Sequence, residues 1–241
     1  MKYFFALLLL YSFTLSAQFN DSTFYYAGLT STGSFNKTNT NNAFLINNAI
    51  KFGIKRKDVV LNSNSKWLYG EQNDKLTNND VSSVLDFNLY KTFPHFYYWG
   101  LLIYNSSYSL RVNNQLQAGL GIAYNIVDKP RLIVNLSDGI IYDYSDINLE
   151  DGTREEYGTP RNSFRLHVKW NVKDRLTFTG NGFLQNSLEY SDDYIIKSDA
   201  SLAIRLKKWL SLTSTFSYNE VSRTKSSNLL ITYGITIEKY F

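Results

Sequence analysis

The stretch Leu229-Leu230-Ile231-Thr232-Tyr233-Gly234-Ile235-Thr236-Ile237-Glu238-Lys239-Tyr240-Phe241 closes the chain. One parity reads Leu229, Ile231, Tyr233, Ile235, Ile237, Lys239, Phe241, and the other Leu230, Thr232, Gly234, Thr236, Glu238, Tyr240. Successive strand side chains point to opposite faces, so this is a strand with one nearly apolar wall and one polar or small wall.

The same alternation recurs upstream. Phe164, Leu166, Val168, Trp170 and Val172 alternate with Arg165, His167, Lys169 and Asn171. Leu116, Ala118, Leu120, Ile122, Tyr124 and Ile126 alternate with Gln117, Gly119, Gly121, Ala123 and Asn125. Leu202, Ile204 and Leu206 alternate with Ser201, Ala203 and Arg205. Continued along the chain, the pattern predicts twelve strands over 22–33, 43–55, 58–70, 80–92, 95–107, 113–127, 130–145, 160–172, 175–186, 193–207, 209–220 and 227–241. Between Phe96 and Ile103 both parities are apolar, so register there is not legible.

Short links such as Lys55-Arg56-Lys57-Asp58 and Lys173-Asp174 take turns with longer polar ones, 34–42, 71–79, 108–112, 146–159, 187–192 and 221–226. An even number of long strands, tight turns at one end and longer loops at the other is the layout of an up-and-down outer-membrane β-barrel with periplasmic termini. A secreted β-sandwich or lipocalin-like barrel shares the alternation, with the apolar parity facing a protein core. Strand length, link asymmetry and the aromatic last residue favour the membrane barrel; a membrane strand needs roughly 9–11 residues, whereas soluble strands average about 5–6.

Compartment and composition agree. Lys2, the apolar run Tyr3–Leu15 and the small residues Ser16-Ala17 predict a signal peptide over 1–17. That leaves one barrel domain over 18–241. Aromatics make up 16% of the chain, with 19 tyrosines and only 3 prolines, a balance that favours strands. Cysteine is absent, which excludes disulfides and a lipoprotein anchor. Removing Lys2 leaves 24 basic against 21 acidic residues, a mild +3 that gives no footprint for nucleic acid.

A family resemblance lies in three stretches. They are the N-terminal strand running into Gly28-Leu29-Thr30-Ser31-Thr32-Gly33-Ser34-Phe35-Asn36-Lys37-Thr38-Asn39-Thr40, then Leu116-Gln117-Ala118-Gly119-Leu120-Gly121-Ile122-Ala123-Tyr124, then Leu132–Ile140. Together these resemble the salt-induced outer-membrane protein family, a bacterial domain of unknown function. Asn135 and Ser137-Asp138 depart from it, standing where smaller residues around a glycine would be expected. The resemblance implies a β-barrel and supplies no established activity or catalytic residues; the expected role is a non-enzymatic one in the envelope or in stress.

Parity sorts the candidate site residues. Lys51, Lys66, Asp86, Arg165, His167, Lys169, Lys197, Asp199, Arg205 and Glu238 fall on the inward wall. Charges facing lipid at mid-bilayer cost roughly 2–4 kcal/mol for Lys or Arg, so the segregation fits that orientation. The basic excess reads as a lumen for small anionic solutes, or as a salt-bridged filling. Trp67, Tyr69, Tyr142, Tyr144 and Tyr218 toward the loops, and Trp170, Trp209 and Tyr240 toward the turns, read as interfacial girdles.

Catalysis finds little support. His95 sits in a turn, and Ser163 is four residues from His167, roughly 13 Å along a strand. A lipid hydrolase is the enzymatic alternative to a non-enzymatic barrel. No metal site or cofactor is expected; Glu150-Asp151 and Asp192-Asp193 could hold divalent ions only loosely. The expected partners are outer-membrane lipid and, during biogenesis, periplasmic chaperones and the barrel-assembly machinery, for which Phe241 would be the signal. Deleting Phe241 should reduce the heat-modifiable protein recovered in outer-membrane fractions; unchanged recovery would remove that role.

Overall fold

A computed structural model describes residues 24–173 and 175–241; the expected signal peptide lies outside them. Twelve strands follow one another: β1 (Tyr25–Lys37), β2 (Asn42–Arg56), β3 (Val59–Gln72), β4 (Lys75–Phe93), β5 (Phe96–Ser107), β6 (Val112–Lys129), β7 (Leu132–Asn148), β8 (Arg154–Val172), β9 (Leu176–Ser187), β10 (Tyr194–Lys207), β11 (Leu210–Val221) and β12 (Ser226–Tyr240). Each pairs antiparallel with its sequence neighbours, and β1 pairs with β12 to close the barrel. No described helix is long and apolar enough to cross a membrane. Strand lengths run from 12 to 19 residues, beyond the roughly 9–11 that hydrocarbon requires.

The wall is sorted opposite to a soluble protein. Leu120 is 73% exposed on the outer face, whereas Gln117, Asp143, Thr159 and Arg161 are fully buried inside. This disposes of the soluble sandwich, in which the apolar parity would be covered. The registers place Gly28, Lys51 and Asn64 on one inward row, and Lys66 and Ser82 on another.

Two expected loops are mostly strand. The link 71–79 shrinks to a two-residue turn at Asn73-Asp74, with φ of 52° and 60°. Asn and Asp tolerate positive φ, and such a turn matches strand twist. The link 146–159 shrinks to residues 149–153. Both stretches are polar because they rise beyond the girdle of Trp67, Tyr69, Tyr142 and Tyr144, where a ladder can have water on both sides and needs no apolar face.

The illegible stretch in β5 acquires a register from its neighbour. Tyr97, Trp99 and Leu101 pair with Ala123, Gly121 and Gly119 of β6 and turn inward. Small residues opposite leave the room. A Cβ on Gly121 would lie 2.5 Å from the Trp99 ring and 2.3 Å from the Asp138 carbonyl oxygen, and a Cβ on Gly139 would meet the same ring. Gly121→Val should therefore lower the urea midpoint of the refolded barrel clearly more than Ala118→Val on the outer face of β6; equal midpoints would show that Trp99 has space to move.

Candidate functional site

The interior divides into a wet half beside the chain termini, here the turn end, and a dry half beside the longer loops, here the loop end. Every charged residue assigned inward by parity lies on the inner rows. These are Lys51 of β2, Lys66 of β3, Asp86 of β4, Arg165, His167 and Lys169 of β8, Lys197, Asp199 and Arg205 of β10, and Glu238 of β12.

Some of these charges are matched. Lys66 reaches Asp199 across the lumen at 3.2 Å, with both side chains still over a third exposed or close to it, 35% and 37%. Ser217 donates to the same carboxylate at 3.0 Å. Arg205 and Glu238 lie 3.9 Å apart. Asp86 accepts from Asn62 at 2.9 Å and from Asn88 at 2.6 Å. Asn181 Oδ1 accepts from Arg165 at 2.8 Å and lies 2.8 Å from His167 Nδ1. Arg165 also sits 5.0 Å over the Phe183 ring.

Four inward cations, Lys51, Arg165, Lys169 and Lys197, make no ion pair among the described residues, and of these the three lysines have no Asn acceptor such as Arg165 finds in Asn181. Lys51 is exposed although it points inward, and it lies within electrostatic reach of Lys66, Lys169, Asp199 and Glu238. Exposure of an inward side chain in a closed barrel is exposure to its lumen, so this half holds space for water and ions.

The loop half is packed shut by residues the sequence reading passed over. Arg161, fully buried, donates to Asp143 at 2.6 Å and to Asp193 at 2.9 Å. It also donates to the Tyr157 hydroxyl at 2.9 Å. Arg223 in the β11–β12 turn pairs with Asp193 at 3.4 Å and with Glu155, and lies 4.0 Å over the Tyr157 ring. Above the girdle, Arg223 holds the Glu155 carboxyl below the usual carboxylate range, chiefly through their hydrogen bond. Leu110, Val112, Ile147, Ile195 and Val221 form an apolar cap at this end. Gln117 donates to Gln185 at 3.0 Å, joining β6 to β9, and Asn228 donates to Ser109 at 2.8 Å, tying β12 to the β5–β6 turn.

Asp193 is thus turned inward rather than left as a solvated loop carboxylate. The missed signal was parity. Arg161 shares its inward phase with Arg165, but stood at the edge of a stretch read as loop.

The girdle residues Trp67, Tyr142, Tyr144 and Trp170 are exposed on the outer surface, Tyr69 and Tyr218 share the outer phase half-buried, and Trp209 is exposed in the β10–β11 turn rather than on a strand face. Tyr240 does not. It follows Glu238 by two residues, faces inward and packs on Tyr26 with ring centroids 4.7 Å apart. Phe241 takes the outer position and stacks on Tyr25 at 5.8 Å. Adjacent strand residues cannot both face lipid, so only one of the two could join the girdle.

His167 has Asn181 as its side-chain partner, and no serine hydroxyl hydrogen-bonds to it among the described residues. No described group of His, Asp and Glu is arranged to hold a metal ion.

A closed twelve-strand meander with apolar residues outside and polar residues inside defines an outer-membrane-type β-barrel. The chain belongs to the family described as "Protein of unknown function, DUF481", whose model matches residues 29–229. The barrel is similar to the NanC porin, with TM-score 0.53 and 10% identity, covering 89% of this chain and 98% of that one. It is also similar to the COG4313 outer membrane channel from Pseudomonas putida F1, with TM-score 0.52, 9% identity and coverage of 95% and 100%. The translocator domain of the autotransporter NalP from Neisseria meningitidis gives TM-score 0.52, 12% identity and coverage of 90% and 89%. At these identities the likeness is one of fold. No curated protein matches the sequence.

Removing the cation from a buried ion pair leaves its carboxylate stranded, at a cost of roughly 3–5 kcal/mol. Arg161→Ala should therefore speed proteolysis and amide exchange at 188–193 while the barrel stays heat-modifiable. Protection equal to that of the unaltered protein would mean the buried triad does not hold the plug.

Proposed function

We propose that this protein is an outer-membrane channel for small anionic solutes, with its termini in the periplasm and its loop end closed in the state described. The observation that carries this reading is the set of inward lysines, Lys51, Lys169 and Lys197, that form no direct ion pair among the described residues, Lys51 being exposed to the lumen. An inward charge without a directly paired carboxylate is costly unless water or a mobile anion completes the compensation. Lys and Arg lining a pore favour anions. Twelve strands fall between eight-strand barrels filled by side chains and sixteen-strand open porins, a size that suits small solutes. Two of the structural neighbours with TM-scores above 0.5 are titled a porin and an outer membrane channel, which supports a pore-forming fold without naming a solute. In this reading the barrel catalyses no reaction, and opening requires the loop-end plug to move.

A second reading, a sealed structural barrel of the envelope, is favoured by the completeness of that plug. Its Arg161–Asp143–Asp193 triad is dry and its apolar cap is continuous.

Planar-bilayer recording in a salt gradient separates the two. A channel should show a reversal potential on the anion side. The double substitution Lys51→Glu and Lys169→Glu should move it toward cations, and Asp193→Asn should raise open probability. Zero conductance from both the unaltered protein and the Asp193→Asn variant, with both correctly folded, would leave the sealed barrel.

A further inference from the structure

The closing seam of the barrel is zipped along only part of its length. β1 and β12 pair from Tyr26↔Tyr240 up to Gly33↔Tyr233 and no further. Both strands continue toward the loop end. β1 stays paired with β2 as far as Lys37↔Asn42, and β12 stays paired with β11 as far as Val221↔Ser226. Among the described residues, Ser34–Lys37 and Ser226–Thr232 are thus regular strand on one side and free edge on the other. The last link across the seam is a 2.7 Å hydrogen bond from the Thr232 hydroxyl to Thr32.

Depth makes this costly. The split begins about eight residues beyond the Tyr25–Phe241 ring stack at the turn end, whereas crossing the hydrocarbon takes roughly 9–11 residues. The free edges therefore start just inside the loop-side boundary of the apolar zone, where backbone groups lack water and need protein partners.

The edge is also unguarded. Sheets protect open edges with charge, proline or bulges. Ser226-Ser227-Asn228-Leu229-Leu230-Ile231-Thr232 contains none of the charges and no proline, and Lys37 is the one charge on the facing edge of β1.

We infer that this half-open seam is an interface for a second copy of the chain. Continued in register, the unmade pairs are Ser34↔Thr232, Phe35↔Ile231, Asn36↔Leu230 and Lys37↔Leu229. When two barrels in one membrane face each other seam to seam about a two-fold axis along the membrane normal, β1 of each lies antiparallel beside β12 of the other. The pairs that are unmade within a chain are then made twice between chains, as an isologous contact. A second copy is the occupant that fits. It presents both complementary edges at the right depth and in the right direction, and it brings Phe35 against Ile231, an aromatic and β-branched cross-strand pair. The inference stands whether or not the lumen conducts.

The absence of cysteine makes the test clean. Phe35→Cys and Ile231→Cys are prepared as separate single variants, mixed, reconstituted into bilayers and oxidised. A disulfide-linked dimer should form from the mixture, and none from Leu85→Cys on β4 mixed with Ile231→Cys. In an otherwise cysteine-free background, Ile231→Lys should lower the dimer fraction in mild detergent at least tenfold while heat-modifiability persists. The double variant Phe35→Cys, Ile231→Cys in one chain covers the competing outcome. If it gives only an internal disulfide and the mixture gives no dimer, the seam closes on itself and the inference fails. Monomer throughout also overturns it.

Discussion

Hydrocarbon offers no partner to a backbone amide or carbonyl, and that constraint shapes the whole molecule. A strand entering the membrane must find a strand on each side, and the only arrangement in which every strand does so is a closed ring. Closure fixes an inside and an outside. Because strand side chains alternate, each residue is then committed to lipid or lumen by parity alone. The exposed Leu120 and the buried Gln117 follow from the same rule, three positions apart on β6.

What fills the inside is polar, and polar atoms in a confined space need partners or water. The barrel uses both solutions at different heights. At the loop end the answer is partners: Arg161 spends its guanidinium on Asp143, Asp193 and Tyr157, and aliphatic side chains complete the seal. At the turn end the groups are left partly exposed instead. Lys66 and Asp199 stay 35% and 37% exposed while paired, and Lys51, across the ladder from Gly28, remains exposed. A dry plug thus sits above a basic half whose inward side chains are left partly exposed.

The seam shows the same constraint left incomplete. Eleven hairpins run to their turns, whereas the β1–β12 junction depends on two strands distant in sequence and stops at Gly33 and Tyr233. A free edge at that depth is the part of the structure furthest from satisfying the rule that made the barrel, which is why an intermolecular partner is the natural completion.

The strand number, the closed barrel and the facing of the ten residues assigned inward were legible in the sequence, because alternation is a local property that each segment carries alone; Asp143 and Arg161 carried the same phase unread. The inward phase of Lys51, Lys169 and Glu238 needed nothing beyond counting by twos. The register of Phe96–Ile103 could not be counted, since both its faces are apolar; it was decided by the small residues of β6 across the ladder. Asn- and Thr-rich stretches at 71–79 and 146–159 looked like loops because a ladder wet on both sides leaves no apolar trace. Whether Tyr240 or Phe241 faced lipid turned on one residue of phase. Which inward charges found each other, Arg161 with Asp193 and Lys66 with Asp199, depended on shear and closure bringing distant strands to one height. Facing is fixed by the neighbour in the chain, whereas pairing across a lumen is fixed by the ring, and only the folded ring exists to decide it.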